Sequence, residues 1–392
     1  MNVRKNKLVA LAALGLTGGL ALSACGGGDT GNGGDGGNAG GNGGSNGSDA
    51  GGQEGGAGYA ELTGSVKGSG ASSMQSAQTA WTETFNAQVA GEGGDLTVSY
   101  NAIGSGDGRA EFLNGDTSFA GSDAALDEEE LAQSAEVCNG GSAFDLPIYI
   151  SPIAVGFNLE GVDELNLSPE NIAKIFDGKI TKWNDEALVA DNPDADLPDA
   201  QIIPVHRSDD SGTTENFTDY LAKAAPDAWP HGEFETWDLG VPGAQSGDGT
   251  SGVKSVIEST NGTIGYLDAS QAVDMGIAKV KVGEEFVEYT PEAAAKVVEV
   301  SPRAEDRAEN DIVVDLARDT SESGAYPIVL ISYLVLCDSY ADADAGEGVK
   351  AYATYVLSEQ GQQTAADNAG SAPLSEGLRE DAQAAVDAIE VG

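Results

Sequence analysis

The residues best suited to chemistry lie together in one stretch, His206-Arg207-Ser208-Asp209-Asp210-Ser211-Gly212-Thr213-Thr214. The apolar run 200–205 before it predicts a short buried strand. Residues 215–223 carry apolar side chains three to four apart, which predicts an amphipathic helix. At such a strand-to-helix junction the free backbone N–H groups and the positive end of the helix dipole meet. The stretch therefore predicts a site for a tetrahedral oxyanion.

The side chains of this stretch supply further donors. Ser211 and Thr213 carry hydroxyl groups, and Gly212 allows the backbone to approach a ligand closely. Arg207 can donate two parallel N–H bonds to one anion, and Asp209 is near enough to hold its guanidinium in place. The alternative is that Ser211 is only the N-cap of an ordinary helix and that Arg207 forms a surface ion pair.

Two more turns rich in glycine and serine follow predicted strands and precede predicted helices. The first, Gly68–Ser73, carries Ser72 and Ser73, and the second, Gly104–Gly106, carries Ser105. One such turn is weak evidence, because glycine-serine turns are common in all proteins. Three of them with an arginine in one α/β chain indicate a shared anion site.

Asp123 is the unusual member of this set. A carboxylate that faces an anion repels it unless the anion carries a proton that the carboxylate can accept. Asp123 therefore predicts selection of protonated phosphate over sulfate. The alternative is that Ser122 or Asp123 is a helix N-cap before Ala124.

The order of predicted elements is typical of an α/β protein, in which ligands collect at the carboxyl ends of parallel strands. Long apolar segments at 144–159 and 325–336 predict two crossover strands between two lobes, and so a clamshell with a cleft. We expect one lobe to comprise residues 60–147 with 326–392, and the other to comprise 148–325.

The N-terminus predicts export. Three basic residues precede an apolar run, 8–22, and the sequence Leu22-Ser23-Ala24-Cys25 is typical of a lipoprotein cleavage site. We expect a signal peptide at 1–24, a lipid on Cys25 that anchors the chain to the membrane, and a flexible Gly-rich tether at 25–59. An uncleaved anchor helix is the alternative.

Two cysteines remain after Cys25. Outside the cell, Cys138 and Cys337 predict a disulfide, with two separate buried thiols as the alternative. We expect no metal site, because the histidines His206 and His231 have no cysteine at ligand spacing.

The formal net charge of -45 excludes nucleic acid as a natural partner. Such a surface also repels small anions at long range. Capture of an anion must then depend on local dipoles and hydrogen bonds. The folded part, roughly 60–392, is long enough for two domains.

Six motifs between residues 68 and 266 carry a family resemblance that covers nearly all of 60–392: GSGASS, YNAIGSG, AGSDAAL, IFDGKITKWND, RSDDSGT and GTIGY. They resemble those of the phosphate-binding lipoproteins that serve bacterial phosphate-specific ABC transporters. The resemblance implies a type II-like periplasmic-binding-protein fold that captures inorganic phosphate and delivers it to the permease subunits of an importer. It implies no cofactor and a location on the outer face of the cell membrane. We also expect a monomer.

The resemblance assigns phosphate contacts to Ser72, Ser73, Ser105, Asp123, Arg207, Ser211, Gly212 and Thr213. It gives Asp209 the task of positioning Arg207. Many members have Phe in place of Ser73, where the family contact is expected from the backbone N–H. Many also have Gly in place of Asp210, whose carboxylate would either weaken binding or face solvent.

Three other functions are consistent with parts of the sequence. The first is a solute-binding protein for another oxyanion, sulfate or molybdate. The second is a surface phosphate sensor or adhesin without transport. The third is a secreted phosphatase, with His206 as acid or base. No predicted metal cluster or activated nucleophile accompanies His206, so we expect no enzyme activity.

Overall fold

The computed structural model describes residues 58–392, which form a mixed α/β fold. The strands are β1 Thr63–Gly70, β2 Asp95–Ala102, β3 Phe119–Ser122, β4 Ala143–Asn158, β5 Leu165–Leu167, β6 Ile203–Arg207, β7 Gln245–Gly247, β8 Thr263–Asp268, β9 Gly276–Val282, β10 Glu285–Val287, β11 Val329–Cys337, β12 Ser339–Tyr340 and β13 Glu390–Val391. The helices are α1 Gln75–Glu92, α2 Ser105–Leu113, α3 Glu128–Ser134, α4 Pro169–Phe176, α5 Glu186–Asp191, α6 Gly212–Ala224, α7 Gly249–Ser259, α8 Pro291–Glu299, α9 Ala343–Leu357, α10 Glu359–Ala369 and α11 Glu376–Asp387.

The main sheet runs in the order β2-β1-β3-β11-β4-β8-β6-β7. The pairs β1–β2, β1–β3, β6–β8 and β6–β7 are parallel. The central strands β11 and β4 pair antiparallel with their neighbours. The predicted α/β class is thus confirmed, with two parallel groups of strands joined by an antiparallel centre.

Strand β4 links the two parallel groups. Its residues 143–152 pair with β11, and its residues 153–158 pair with β8. This long buried strand corresponds to the first predicted crossover. The chain returns at 325–328, where the backbone N–H of Ile153 donates to the carbonyl of Ile328 at 2.7 Å. The boundaries between lobes at 147/148 and 325/326 stay a prediction, because the sheet is continuous.

Some predicted boundaries move toward the site. The strand predicted at 200–205 is β6, 203–207, because Arg207 pairs with Gly247 of β7. The helix predicted to follow the turn Gly104–Gly106 begins within that turn, at Ser105, since Gly104 turns the chain with a φ of 112°. As a result Arg207 is the last residue of β6, and Ser105 is the first residue of α2.

Cys138 and Cys337 form a disulfide with a Cα–Cα distance of 5.1 Å. The bridge joins the loop after α3 to the last residue of β11, so it connects an early and a late part of the sheet. Among residues 58–392 no helix is long and apolar enough to span a membrane. The predicted signal peptide 1–24, the lipid on Cys25 and nearly all of the tether 25–59 lie outside the described residues.

Candidate functional site

The candidate site lies where the carboxyl ends of β1, β3 and β6 meet the N-terminal ends of three helices, α2, α6 and α7. This is the arrangement that concentrates backbone N–H donors and helix dipoles at one point. Hydrogen bonds, together with the chain link between Gly249 and Thr250, connect six of the eight predicted binding residues and Asp209 into one largely buried group. We call it the hydroxyl cluster: Ser72, Ser73, Ser105, Asp123, Arg207, Asp209 and Thr213 with Gly249, Thr250 and Ser332.

Asp123 lies at the centre of the hydroxyl cluster. Its Oδ1 accepts hydrogen bonds from the hydroxyls of Ser73 and Ser332, both at 2.7 Å. Its Oδ2 accepts one from Thr213 at 3.0 Å, and its backbone N–H donates to Ser105 Oγ at 3.1 Å. The alternative that Asp123 caps a helix is wrong, because the next helix begins only at residue 128 and is capped by Asp127.

Asp123 is only 4% exposed. Burial raises its pKa above the ordinary value, and the hydroxyl donors and the charge of Arg207 offset part of that rise. Asp123 accepts three hydrogen bonds from hydroxyl groups, so one of its roughly four acceptor positions remains for another donor. Asp123 can therefore accept a hydrogen bond from a protonated ligand oxygen, although the groups around it are mainly donors.

Arg207 lies at the carboxyl end of β6 and is 3% exposed. Its Nε donates to Asp209 Oδ1 at 2.8 Å, and its Nη2 donates to Asp209 Oδ2. Its Nη1 points to Thr213 Oγ1 at 3.5 Å. Arg207 thus forms the ion pair of the alternative interpretation, but the pair is buried rather than on the surface. The remaining edge of the guanidinium faces the hydroxyl cluster.

Asp209 holds Arg207 in this orientation. Burial acts to raise the pKa of Asp209, but the hydrogen bonds and charge of Arg207 outweigh it and lower the pKa below its ordinary value. The backbone N–H of Gly249 also donates to Asp209 Oδ1 at 3.0 Å. The start of α7 is therefore connected to the guanidinium through a charged carboxylate.

Ser211 and Gly212 act through the start of α6. The hydroxyl of Ser211 accepts the backbone N–H of Thr214 at 3.1 Å, so Ser211 is the helix N-cap. A Cβ on Gly212 would lie 2.7 Å from Ser105 Oγ and 2.8 Å from Asp123 Cβ. Glycine is needed here because α6 approaches the β3 loop too closely for any side chain.

Three residues of the cluster were missed in the sequence. Ser332 is a hydroxyl within the apolar strand β11. The backbone N–H of Thr250 donates to Ser72 Oγ at 3.0 Å, and Gly249 contacts Asp209. The run Gly247-Asp248-Gly249-Thr250 is a further glycine turn before a helix, so the signal that identified the other loops was present here too. Ser332 had no comparable signal.

Asp210 and His206 lie beside the cluster with other partners. Asp210 accepts a hydrogen bond from Thr236 Oγ1 at 3.2 Å, and a Cβ on Gly106 would lie 2.4 Å from its Oδ2. Burial, and then the charge of Glu235, raise the pKa of Asp210. His206 stacks on Trp237 with ring centroids 5.1 Å apart, and burial lowers its pKa. Within 58–392 no group of three or more His, Cys, Asp or Glu side chains could hold a metal ion.

The chain is similar to known proteins over most of its length. A model of the PBP superfamily domain matches residues 55–360. Phosphate-binding protein PstS 2 of Mycobacterium tuberculosis is 38% identical over 301 residues, which cover 75% of this chain and 80% of the relative. PstS3 of Mycobacterium bovis is 36% identical over 332 residues, covering 83% of this chain and 86% of the relative.

Solved structures show the same fold. The periplasmic phosphate-binding protein PfluDING, bound with phosphate, matches with a TM-score of 0.67 at 23% identity, covering 82% of this chain and 93% of that one. The ancestral soluble variant of the human phosphate binding protein matches with a TM-score of 0.68 at 20% identity and the same coverage of 82% and 93%. With its sequence relatives and this fold, the chain belongs to the PstS family of phosphate-binding proteins, within the PBP superfamily.

Proposed function

We propose that this protein is an extracytoplasmic receptor that captures inorganic phosphate in the hydroxyl cluster and delivers it to the permease subunits of an ABC importer. The observation that carries the proposal is the environment of Asp123, a buried carboxylate surrounded by hydroxyl donors and facing a buried arginine. The names of the relatives, phosphate-binding proteins of the PstS group, support the same ligand.

The proposed chemistry depends on the proton that phosphate retains near neutral pH. One ligand hydroxyl donates to Asp123, while the other oxygens accept hydrogen bonds from hydroxyls, helix N-termini and Arg207. Sulfate has no proton to donate, so it would place a charged oxygen against a carboxylate. The proposed ligand-binding residues are Ser72, Ser73, Ser105, Asp123, Arg207, Ser211, Gly212 and Thr213, with Asp209 positioning the guanidinium.

Contacts across the cleft support capture by closure. Thr213 of the proposed lobe 148–325 donates to Asp123 of the lobe 60–147. Asn216 donates to the carbonyl of Asp123 at 2.8 Å, and Thr250 contacts Ser72 at 3.1 Å. In the proposed division into two lobes these bonds cross from one lobe to the other, which supports the proposal that the described conformation is the closed one. Opening would separate them and give phosphate access to Asp123.

The location and the assembly also belong to the proposal. The lipoprotein pattern that ends at Cys25 supports a chain anchored by lipid to the outer face of the cell membrane, with 25–59 as its tether. The proposal takes the protein to be a monomer. We propose binding without catalysis. A phosphomonoesterase assay tests that part, and hydrolysis that is lost with Asp123→Asn would contradict it.

Calorimetry tests the ligand. The secreted chain without its lipid, residues 26–392, is partially unfolded to remove bound anion, refolded and titrated with phosphate and then with sulfate. We expect one-to-one binding of phosphate and no heat with sulfate. Equal binding of sulfate would assign the site to another oxyanion, and binding of neither would reject the receptor function.

A further inference from the structure

We infer that Arg109 and Glu235, called here the latch pair, hold the cleft closed and thereby slow the release of phosphate. The inference rests on the proposed function, because it concerns how long the closed form keeps its ligand. Neither residue belongs to the proposed ligand-binding set. Arg109 lies on α2 in the lobe 60–147, and Glu235 lies in the loop between α6 and β7 in the lobe 148–325.

The geometry of the latch pair is that of a strong ion pair. Arg109 Nη1 donates to Glu235 Oε1 at 2.9 Å, and Nη2 donates to Oε2 at 2.8 Å. The two side chains are only 8% and 18% exposed. Two parallel N–H bonds in a partly buried pair bind more strongly than a single bond in an exposed ion pair. The pair also bridges a sequence separation of 126 residues.

Arg109 keeps other partners within its own lobe. Its Nε donates to Glu130 of α3 at 2.8 Å, and its Nη1 also donates to Ser122 Oγ at 3.0 Å. When the lobes separate, Arg109 can retain both of these contacts while it loses Glu235. The guanidinium is then never left without a counter-charge, which is the costly outcome of breaking a buried pair. The latch pair is therefore able to open and close reversibly.

The latch pair is connected to both sides of the hydroxyl cluster. Ser122, which Arg109 contacts, directly precedes Asp123 in the chain. The backbone carbonyl of Glu235 accepts the N–H of Ser211, the N-cap of α6, at 3.3 Å. Arg109 and Glu235 are thus positioning residues, because they hold the β3 loop and the start of α6 together without belonging to the cluster.

The surrounding charges make Arg109 the more sensitive partner. Burial, and then the negative charge of Glu235, raise the pKa values of Glu215 on α6 and of Asp210. Three carboxyl groups therefore lie close together on one side of the cleft, and Arg109 is the cation that approaches them from the other side. Weakening Arg109 should destabilise closure more than weakening Glu235.

The test measures the release of radiolabelled phosphate from the secreted chain, residues 26–392, into an excess of unlabelled phosphate. Glu235→Gln keeps the size of the side chain but removes its charge. We expect its dissociation rate to rise about tenfold with a nearly unchanged association rate, because loss of one partner of a buried charge pair acts on dissociation. Arg109→Lys keeps a charge but loses the paired N–H bonds, and should accelerate release at least as much.

A matched control is Lys182→Met, which removes the exposed pair with Asp199 within one proposed lobe. It should release phosphate at the unaltered rate. The double variant Arg109→Lys/Glu235→Gln should release phosphate more slowly than the product of the single effects predicts, because both substitutions remove the same interaction. X-ray scattering without phosphate should show a larger radius for the single variants than for the control.

Unaltered release and an unaltered radius in Glu235→Gln and Arg109→Lys would overturn the latch while leaving phosphate binding in place. Acceleration by the control as well would also overturn it, because the effect would then not be specific to the pair across the cleft. If the unaltered protein binds no phosphate, the proposed function itself fails, and the latch inference fails with it.

Discussion

Two buried arginines near the cleft differ in the distance to their partners along the chain. Arg207 pairs with Asp209, two residues away in the same loop. Arg109 pairs with Glu235, 126 residues away and across the cleft. Both guanidinium groups use two nitrogens on one carboxylate, so the local chemistry is nearly the same.

The difference in sequence separation gives the two pairs different tasks. A pair within one loop stays formed whether the lobes are open or closed, so Arg207 is oriented before the ligand arrives. Such preorganisation improves affinity because less ordering remains to be done on binding. With the proposed lobes, a pair across the cleft exists only in the closed form, and the latch inference therefore assigns Arg109 an effect on the lifetime of the complex. Substitution of Arg207 should therefore lower affinity through lost contacts with the ligand, whereas substitutions in the latch pair should lower it through faster dissociation.

The largest effect on binding is expected for Arg207→Ala. The substitution removes charge-assisted hydrogen bonds worth about 1.5–3 kcal/mol each and leaves the buried carboxylate of Asp209 unpaired. Phosphate affinity measured by calorimetry should fall by a factor of about 100 or more. Thr213→Val, which removes one hydroxyl, is the control and should cost much less. Equal affinity of the two variants would show that Arg207 does not contact the ligand.

The next effect concerns selectivity and is expected for Asp123→Asn. An amide can donate to a fully ionised oxyanion, so this variant should bind sulfate measurably, while the unaltered protein does not. Discrimination between phosphate and sulfate in competition titrations should fall by at least about tenfold, which is about 1.4 kcal/mol. Ser332→Ala, which removes one donor to Asp123 but keeps the carboxylate, should retain the discrimination. Unchanged selectivity in Asp123→Asn would reject the proton-accepting role.

Asp123 also predicts the direction of a pH effect. Burial raises its pKa, so the folded protein without ligand takes up this proton at a higher pH than the unfolded chain does. The charged carboxylate is therefore unfavourable for folding above that pKa, and this cost disappears as the pH falls through it. Binding has the opposite dependence, because acceptance of a ligand proton needs the charged form. Phosphate affinity should therefore decline on acidification at pH values above about 4, the ordinary pKa of Asp. An affinity that stays constant as the pH falls toward about 4 would contradict this prediction.

A smaller effect separates positioning from contact. Asp209→Asn keeps Arg207 charged but weakens the hydrogen bonds that orient it. The backbone N–H of Gly249 also loses a negatively charged acceptor. We expect affinity to fall about tenfold, the equivalent of one typical hydrogen bond. Surface Asp199→Asn serves as the control and should bind normally. A loss as large as that of Arg207→Ala would mean that the guanidinium contributes nothing without its partner.

Much of the site could be predicted because its parts are local. A glycine-serine turn and the helix start that follows it lie within a few residues of one another. The loops that carry Ser72, Ser105 and Arg207 can therefore be predicted from local sequence patterns. The structure joins these three loops through one network of hydrogen bonds. The capping part of the alternative for Ser211 is confirmed, since its hydroxyl caps α6, and its contact with the ligand stays a prediction. The same Ser-Gly-Thr pattern therefore caps α6 and marks where that helix begins at the candidate site.

The parts that were missed depend on tertiary contacts. Ser332 resembles any small polar residue in a buried strand, and only the pairing of β11 with β3 places it beside Asp123. Glu235 lies in a loop with no motif, and its link to Arg109 follows from the approach of the two lobes. Helix α10 has the sequence EQGQQTAADNA, whose apolar residues show little helical periodicity, although Gln362 is buried. Long-range pairings of this kind leave no spacing signal in a single sequence.

The smallest effect on binding is expected from removal of the disulfide, which is a long-range link within one proposed lobe rather than between lobes. Cys138 and Cys337 are separated by 199 residues, farther than the latch pair, but both lie in the same proposed lobe. Their bridge restricts the unfolded chain and should contribute about 2–5 kcal/mol to stability. The double variant Cys138→Ser/Cys337→Ser should therefore melt at a lower temperature, yet bind and release phosphate at unaltered rates. Release accelerated as in Glu235→Gln would contradict this. Sequence separation, rather than location across the cleft, would then determine which contacts govern the lifetime of the complex. The assignment of the two lobes would have to be revised.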